Sequence, residues 1–199
     1  MTKTLLPDNF TKHMSNNPLQ KFLINNFYES LISIAKPLNA KNILDAGCGE
    51  GFTLNKFMLN KVGQSIKGIE YSKKAISLGK KLFPEVTIEE GSIYNMPYED
   101  KLFDLVLCTE VLEHMEKPQK ALLETIRTSK KNILLSVPNE PFFRLANFCV
   151  GKYIWDFGNS PGHINHWTII SFIRFLRKNK LKVKAIKFPF PWILILAEK

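Results

Sequence analysis

The chain of 199 residues is 45% hydrophobic and 23% charged, which fits a globular protein and excludes a disordered or fibrous one. Its length suits one domain around one core, and no apolar run approaches the ~20 residues that span a bilayer. A net charge of +10 admits an acidic partner, but the lysines fall singly or in pairs such as Lys73-Lys74, Lys80-Lys81 and Lys130-Lys131, the pattern of a solvating surface.

Residues 1–10 are polar and interrupted by proline, with no apolar signal core, so no secretory leader is expected. Cys48, Cys108 and Cys149 lie far apart without paired spacing. That argues against a disulfide framework or a cysteine zinc site, and for a reducing, cytoplasmic compartment. Residues 18–35 set Leu19, Phe22, Leu23, Phe27, Leu31 and Ile34 at helical spacing and stop before Pro37, which predicts a helix. Residues 42–45 read as a short buried strand entering a glycine-rich turn, and 52–60 as a helix. A second strand covers 65–71, and Ser72 caps a helix that reaches about Phe83, ahead of Pro84. Further strands cover 86–90, 103–109 and 132–137, with a helix at 118–128. The unbroken apolar run of 103–109 fits a strand covered on both faces.

Strands alternating with helices predict an α/β fold with a doubly wound, mostly parallel sheet. After a helix at about 168–178, strands at 181–188 and 192–197 are joined too closely for a crossover helix, so they form a C-terminal antiparallel hairpin. The expectation is one domain over 1–199, with an N-terminal helical cap over 1–38. Residues 139–165 should lie at the carboxyl edge of the sheet, where open α/β folds bind ligands, and form a lid there. Within that segment Phe142, Phe143, Leu145 and Phe148 read as a core-facing amphipathic helix over 142–150. Tyr153, Trp155 and Phe157, close to Gly151 and Gly158, read as the lid proper.

The stretch that carries chemistry holds Asp45, Gly47, Gly49 and Gly51 at a strand-to-helix turn. Glycine there lets the backbone approach a ligand, and the helix start offers free N–H groups to electron-rich atoms. Nineteen positions past Gly51, Glu70 ends the second strand and can accept both hydroxyls of a ribose. The glycine spacing is not that of a dinucleotide fold, and no P-loop Lys-Ser/Thr pair follows.

This turn resembles the first motif of the class I S-adenosylmethionine-dependent methyltransferases, Asp/Glu-x-Gly-x-Gly-x-Gly, and the resemblance covers nearly the whole chain. It implies a Rossmann-like domain with S-adenosylmethionine as methyl donor, held by Asp45, Gly47, Cys48, Gly49, Gly51, Glu70 and Tyr71. Ser92 stands where the family usually has an Asp near the adenine, with Ile93 beside it. The stretch from Phe103 to His114 is similar to the fourth-strand motif, which implies that Cys108 and Thr109 lie near the donor's methionine part.

Methyl transfer from a sulfonium chiefly needs alignment, whereas a hydroxyl acceptor must also lose its proton, to a base or with the help of a metal. Glu110, Glu113 and His114 would share one turn if a helix starts at Glu110. His163 and His166 follow later, before a Trp-Thr helix start. The combination is similar to the small-RNA 3′-end 2′-O-methyltransferases and, in its Glu-x-x-Glu-His part, to quinone-biosynthesis O-methyltransferases. It implies a divalent metal (Mg²⁺, Mn²⁺ or Zn²⁺) on Glu110, Glu113, His114 and His163. The residues leave open a direct histidine base (His163 or His166, with Glu110 as a further catalytic candidate) and a purely positional role for Glu113 and His114. The expected function is methyl transfer to a hydroxyl, ahead of an amine, of a small or lipid-like molecule. Alternatives are a ribose 2′-O-methyltransferase acting on RNA and a non-catalytic donor-binding protein.

Overall fold

The computed structural model describes residues 8–149 and 162–199. Five strands, β1 (Asn42–Ala46), β2 (Ser65–Glu70), β3 (Thr87–Glu90), β4 (Phe103–Thr109) and β5 (Ser129–Pro138), run parallel. Two more, β6 (Lys182–Lys187) and β7 (Trp192–Glu198), form the antiparallel hairpin, and β7 pairs antiparallel with β5. The order is β3-β2-β1-β4-β5-β7-β6, so the winding direction reverses between β1 and β4. In such sheets a crevice opens at the carboxyl ends of the two strands at the reversal. That crevice lies between the glycine-rich turn after β1 and Thr109 at the end of β4.

Period-two alternation explains why these strands read as continuous apolar runs. Leu44, Ala46, Val106, Cys108, Ile193 and Ile195 join one core cluster, while Ile43, Leu105, Leu107, Leu194 and Leu196 join another. Successive side chains point to opposite faces of the sheet, and both faces are covered. Each of the Leu, Ile and Val side chains, when fully buried, contributes about 1.5–3 kcal/mol. At the outer edge, Lys182, Lys184 and Lys187 of β6 are exposed, which discourages a further strand from adding there.

The first face is packed by α5 (Pro118–Thr128) and α7 (Ile169–Lys178), through Leu122, Phe172 and Leu176. The second is packed by α2 (Pro18–Ala35) and α3 (Phe52–Leu59), through Phe27, Leu31 and Phe57. Asn17 starts α2 by accepting from the N–H groups of Leu19 and Gln20. Not all the helical-spacing residues of α2 face the core: Leu19 and Phe22 are exposed, because only the part from Ile24 onward reaches the sheet. Ser72 caps α4 (Lys73–Leu82) as expected.

Three elements depart from the sequence reading. A short helix, α1 (Asp8–His13), precedes α2. Strand β5 begins three residues early, at Ser129, because an irregularity between Phe103 and Leu105 brings Ser129 opposite Phe103. The helix α6 (Glu140–Cys149) is only partly core-facing: Phe143 packs on the second core cluster, while Phe142 and Leu145 are exposed. Tyr153, Trp155 and Phe157 lie outside the described residues.

Candidate active site

On the donor side the backbone does most of the building. Gly47, Gly49 and Gly51 all have left-handed φ angles, of 82°, 55° and 83°. A side chain on Gly47 would also meet Val111, its Cβ falling 2.7 Å from the valine Cγ2. Gly51 caps α3 without a side-chain hydrogen bond, so the first N–H groups of that helix receive none from their cap. The N–H groups of Gly47 and Cys48 donate to Ile69 O at 2.9 and 3.2 Å, which binds the turn to the end of β2. Cys48 also gives its carbonyl to Gly51 N–H, and its thiol fills the space above Gly68. Its contribution is therefore to the shape of the turn.

Glu70 closes the turn from the β2 side. Its Oε2 accepts from Gly49 N–H at 2.9 Å and its Oε1 from Ser72 N–H at 2.8 Å. A carboxylate has about four acceptor positions, so these two bonds leave capacity for a pair of hydroxyls. Asp45 is buried beneath the turn, and its Oδ1 has no hydrogen-bond partner among the described residues. Burial pushes its carboxyl up to about 7, and the Glu70 charge adds to the rise. Tyr71 stands exposed beside Glu70. Ser92 Oγ accepts from Tyr94 N–H at 3.2 Å, and Ile93 belongs to the first core cluster. Thr109 ends β4 opposite Ser136 of β5.

On the acceptor side, side chains from distant parts of the chain converge. No α-helix starts at Glu110; its left-handed φ of 58° turns the chain instead, and a single 3-10 turn follows at Leu112–His114. Glu110 is held by Ser136: its N–H donates to Ser136 O and Oγ, and its Oε1 accepts from the Ser136 hydroxyl at 2.9 Å. Its Oε2 lies 4.0 Å from Lys12 Nζ of α1, and that ammonium sits 4.5 Å over the Trp192 ring.

Glu113 is fully buried, and neither carboxylate oxygen has a hydrogen-bond partner among the described residues. Burial, reinforced by the Glu110 charge, lifts its carboxyl well above the ordinary carboxylate range. Residues 162–166 are clamped against this turn. Ile164 and Asn165 donate their N–H groups to Glu113 O at 2.9 and 3.0 Å, and Asn165 Nδ2 donates to Leu112 O and Met115 O at 3.0 and 2.6 Å. The clamp sets the His114 and His163 rings 4.9 Å apart at 72°.

Glu113, His114 and His163 each offer a ligand atom within 4.8 Å of the others. His114 Nδ1 is 2.9 Å from Gly162 O, a carbonyl that only accepts, so in the neutral ring Nε2 carries the lone pair. That Nε2 is 4.0 Å from Glu113 Oε1. His163 Nδ1 is 3.1 Å, and the half-exposed His166 Nδ1 is 3.4 Å, from Glu140 Oε1. Burial works against the Glu140 charge, but hydrogen bonds and charge from the two histidines hold its carboxyl below the ordinary value.

Of the four residues expected to hold a metal, Glu113, His114 and His163 come together. Glu110 lies outside the group because Ser136 holds one of its oxygens and Lys12 faces the other. His166 also stays outside it, paired with Glu140. Glu140 itself went unnoticed in the sequence. Its signal is its place, two residues past β5 at the carboxyl edge of the sheet.

An open sheet with a glycine-rich turn at the point of reversal and an acidic end on the next strand defines a nucleotide-type α/β ligand domain. Residues 44–136, from within β1 to within β5, match a family model described as a methyltransferase domain. Among solved structures, magnesium protoporphyrin IX methyltransferase from Synechocystis PCC 6803 with bound SAH superposes with a TM-score of 0.70. The identity is 17%, over 96% of this chain and 92% of that one. Over residues 44–136 the chain is thus similar to methyltransferase domains, and as a whole it shares the fold of that solved methyltransferase.

Norajmaline N-methyltransferase of Rauvolfia serpentina is 36% identical over 95 residues, 45% of this chain and 32% of that enzyme. The mitochondrial ubiquinone biosynthesis O-methyltransferase of Schizosaccharomyces pombe is 28% identical over 151 residues, 71% of this chain and 53% of that enzyme. The chain spans about a third to a half of the length of these curated relatives. Among the described residues, no helix is long and apolar enough to cross a membrane.

Proposed function

We propose that the chain transfers a methyl group from S-adenosylmethionine to a hydroxyl of a small or lipid-like molecule, with a divalent cation on Glu113, His114 and His163. The observation that carries the acceptor half is Glu113, whose two buried carboxylate oxygens, beside two imidazoles, have no hydrogen-bond partner among the described residues. Leaving such a group unmatched is costly, and a cation with two neutral histidines would satisfy it. The Nδ1 contacts of both rings, to a carbonyl and to a carboxylate, are the outer contacts that orient metal-binding histidines. Two histidines and one carboxylate with an open position suit Zn²⁺, and Mn²⁺ or Mg²⁺ are served by the same oxygen and nitrogen donors. Such a cation would lower the pKa of a bound hydroxyl and orient it.

Around that chemistry the protein has three tasks. Glu70 accepts the donor's ribose hydroxyls with the acceptor capacity its backbone contacts leave unused. Asp45, one of whose oxygens is buried without a partner among the described residues, accepts from the donor's ammonium, while the start of α3 receives its electron-rich atoms. Lys12 and Ser136 hold Glu110 at the rim, where its carboxylate can accept the acceptor's proton as a general base. Alignment of the sulfonium methyl with the acceptor oxygen supplies most of the remaining barrier reduction.

A second reading keeps the same residues without a cation. The Glu140–His163 pair has the form of a histidine base oriented by a carboxylate. The curated relatives include both an N- and an O-methyltransferase, which supports the reaction class and leaves the acceptor atom to experiment. The test is methyl transfer from radiolabelled S-adenosylmethionine to paired hydroxyl and amine acceptors, in chelator and after readdition of Mn²⁺ or Mg²⁺. Transfer to hydroxyls that chelator stops and Mn²⁺ restores is the expected result. Full activity in chelator rejects the cation, and amine-only activity rejects the hydroxyl.

A further inference from the structure

We propose that Glu140 is a positioning residue for the reaction, fixing the tautomer of His163 so that its Nε2 carries the lone pair the site uses. The inference rests on the acceptor-side reading above, and it holds for either chemistry assigned to His163. Glu140 opens α6 directly after the carboxyl end of β5, and its own N–H donates to Trp167 O at 3.0 Å. The residue is thereby tied on one side to the sheet and on the other to the end of the histidine segment that leads into α7. Its Oε1 stands 3.1 Å from His163 Nδ1 and 3.4 Å from His166 Nδ1. An ionised carboxylate only accepts, so each Nδ1 in contact with it must carry the proton.

In neutral His163 the lone pair is then on Nε2. Phe143, 5.3 Å away, and His114, 4.9 Å away, hold the ring from two further directions. Glu140 Oε2 is buried and has no partner among the described residues, so the carboxylate answers chiefly to these imidazoles. Without Glu140, His163 would be free to place its proton on the nitrogen that should bind a cation or take a proton. Removal of such outer contacts weakens metal sites by about 10–100-fold.

The test compares wild type with Glu140→Leu and the isosteric Glu140→Gln, using protein labelled with ¹⁵N-histidine. In the wild type, at a pH where the rings are neutral, the His163 resonances should report a protonated Nδ1 and a bare Nε2. In Glu140→Leu they should report a mixture of tautomers. Affinity for Mn²⁺ alone should fall about 10–100-fold, with S-adenosylhomocysteine affinity unchanged. Glu140→Gln should fall between, since its amide can accept from Nδ1–H but carries no charge; it decides the matter if the leucine variant does not fold. A His163 tautomer unchanged in a folded variant overturns the proposal. A tautomer shift without Mn²⁺ binding in the wild type upholds Glu140 as a positioning residue for a histidine base and removes only the cation.

Discussion

The two halves of the site are made in different ways. The donor side is a turn of seven residues, from Asp45 to Gly51, plus Glu70, and its contacts are largely backbone N–H and C=O groups held at left-handed φ angles. The acceptor side is assembled from Glu110–His114, Glu140 and His163–His166, and its functional groups are side chains brought together from distant parts of the chain. Backbone geometry tolerates no bulk but needs no distant support. Side-chain geometry tolerates changes of shape but fails when a remote clamp is lost. Variants on one side should therefore leave the other intact.

The largest effect should come from bulk in the turn. Gly51→Val forces a β-branched residue to φ 83° and its Cβ to 3.0 Å from Ile88. It should cost about 1–2 kcal/mol in strain alone and abolish S-adenosylhomocysteine binding by calorimetry, while Mn²⁺ affinity is kept. Loss of both ligands together would mean that the halves are not separate. Glu70→Ala comes next. It removes the ribose acceptor and leaves Gly49 N–H without its partner, so donor affinity should drop by ~1–3 kcal/mol.

Asn165→Ala sharpens the comparison from the other side. It removes the two donors that hold residues 162–166 against Leu112 O and Met115 O. Stability should fall by ~1–2 kcal/mol and Mn²⁺ binding should weaken, with S-adenosylhomocysteine affinity unchanged. A variant in which donor affinity falls as far as Mn²⁺ affinity would argue for general loosening instead.

The smallest effect is a pH dependence. The Asp45 carboxyl is raised from 3.8 to about 7, so the folded protein holds a proton that the unfolded chain releases. Its contribution to stability is complete below the ordinary carboxylate value and is lost as pH rises through about 7. Binding of the donor's ammonium favours the ionised form, so donor affinity should rise with pH toward about 7 and then level. Asp45→Asn should flatten that limb of the affinity profile. An unchanged limb in the variant would assign the titration to another group.

The same difference explains what could be read in the sequence. The glycine turn, Glu70, the Ser72 cap and the C-terminal hairpin are set by local spacing, and the structure has each of them at its expected position. The acceptor side was legible only as a list of residue types. Nothing local announces that Glu110 takes a left-handed φ, that Ser136 and Lys12 engage its carboxylate, or that Glu140 pairs with His163. Those facts depend on β4 and β5 lying side by side and on the Asn165 clamp, both long-range in the chain. For the same reason α1, whose Lys12 reaches the site, escaped a reading based on periodicity.

The most direct test of the acceptor-side account is an electron paramagnetic resonance titration of Mn²⁺, with S-adenosylhomocysteine present, into wild type and Glu113→Gln. The expected result is one bound Mn²⁺ per chain in the wild type, weakened at least about 10–100-fold in the variant, with equal affinity of both proteins for S-adenosylhomocysteine. No bound Mn²⁺ in the wild type, or equal Mn²⁺ binding in the two proteins, would contradict it.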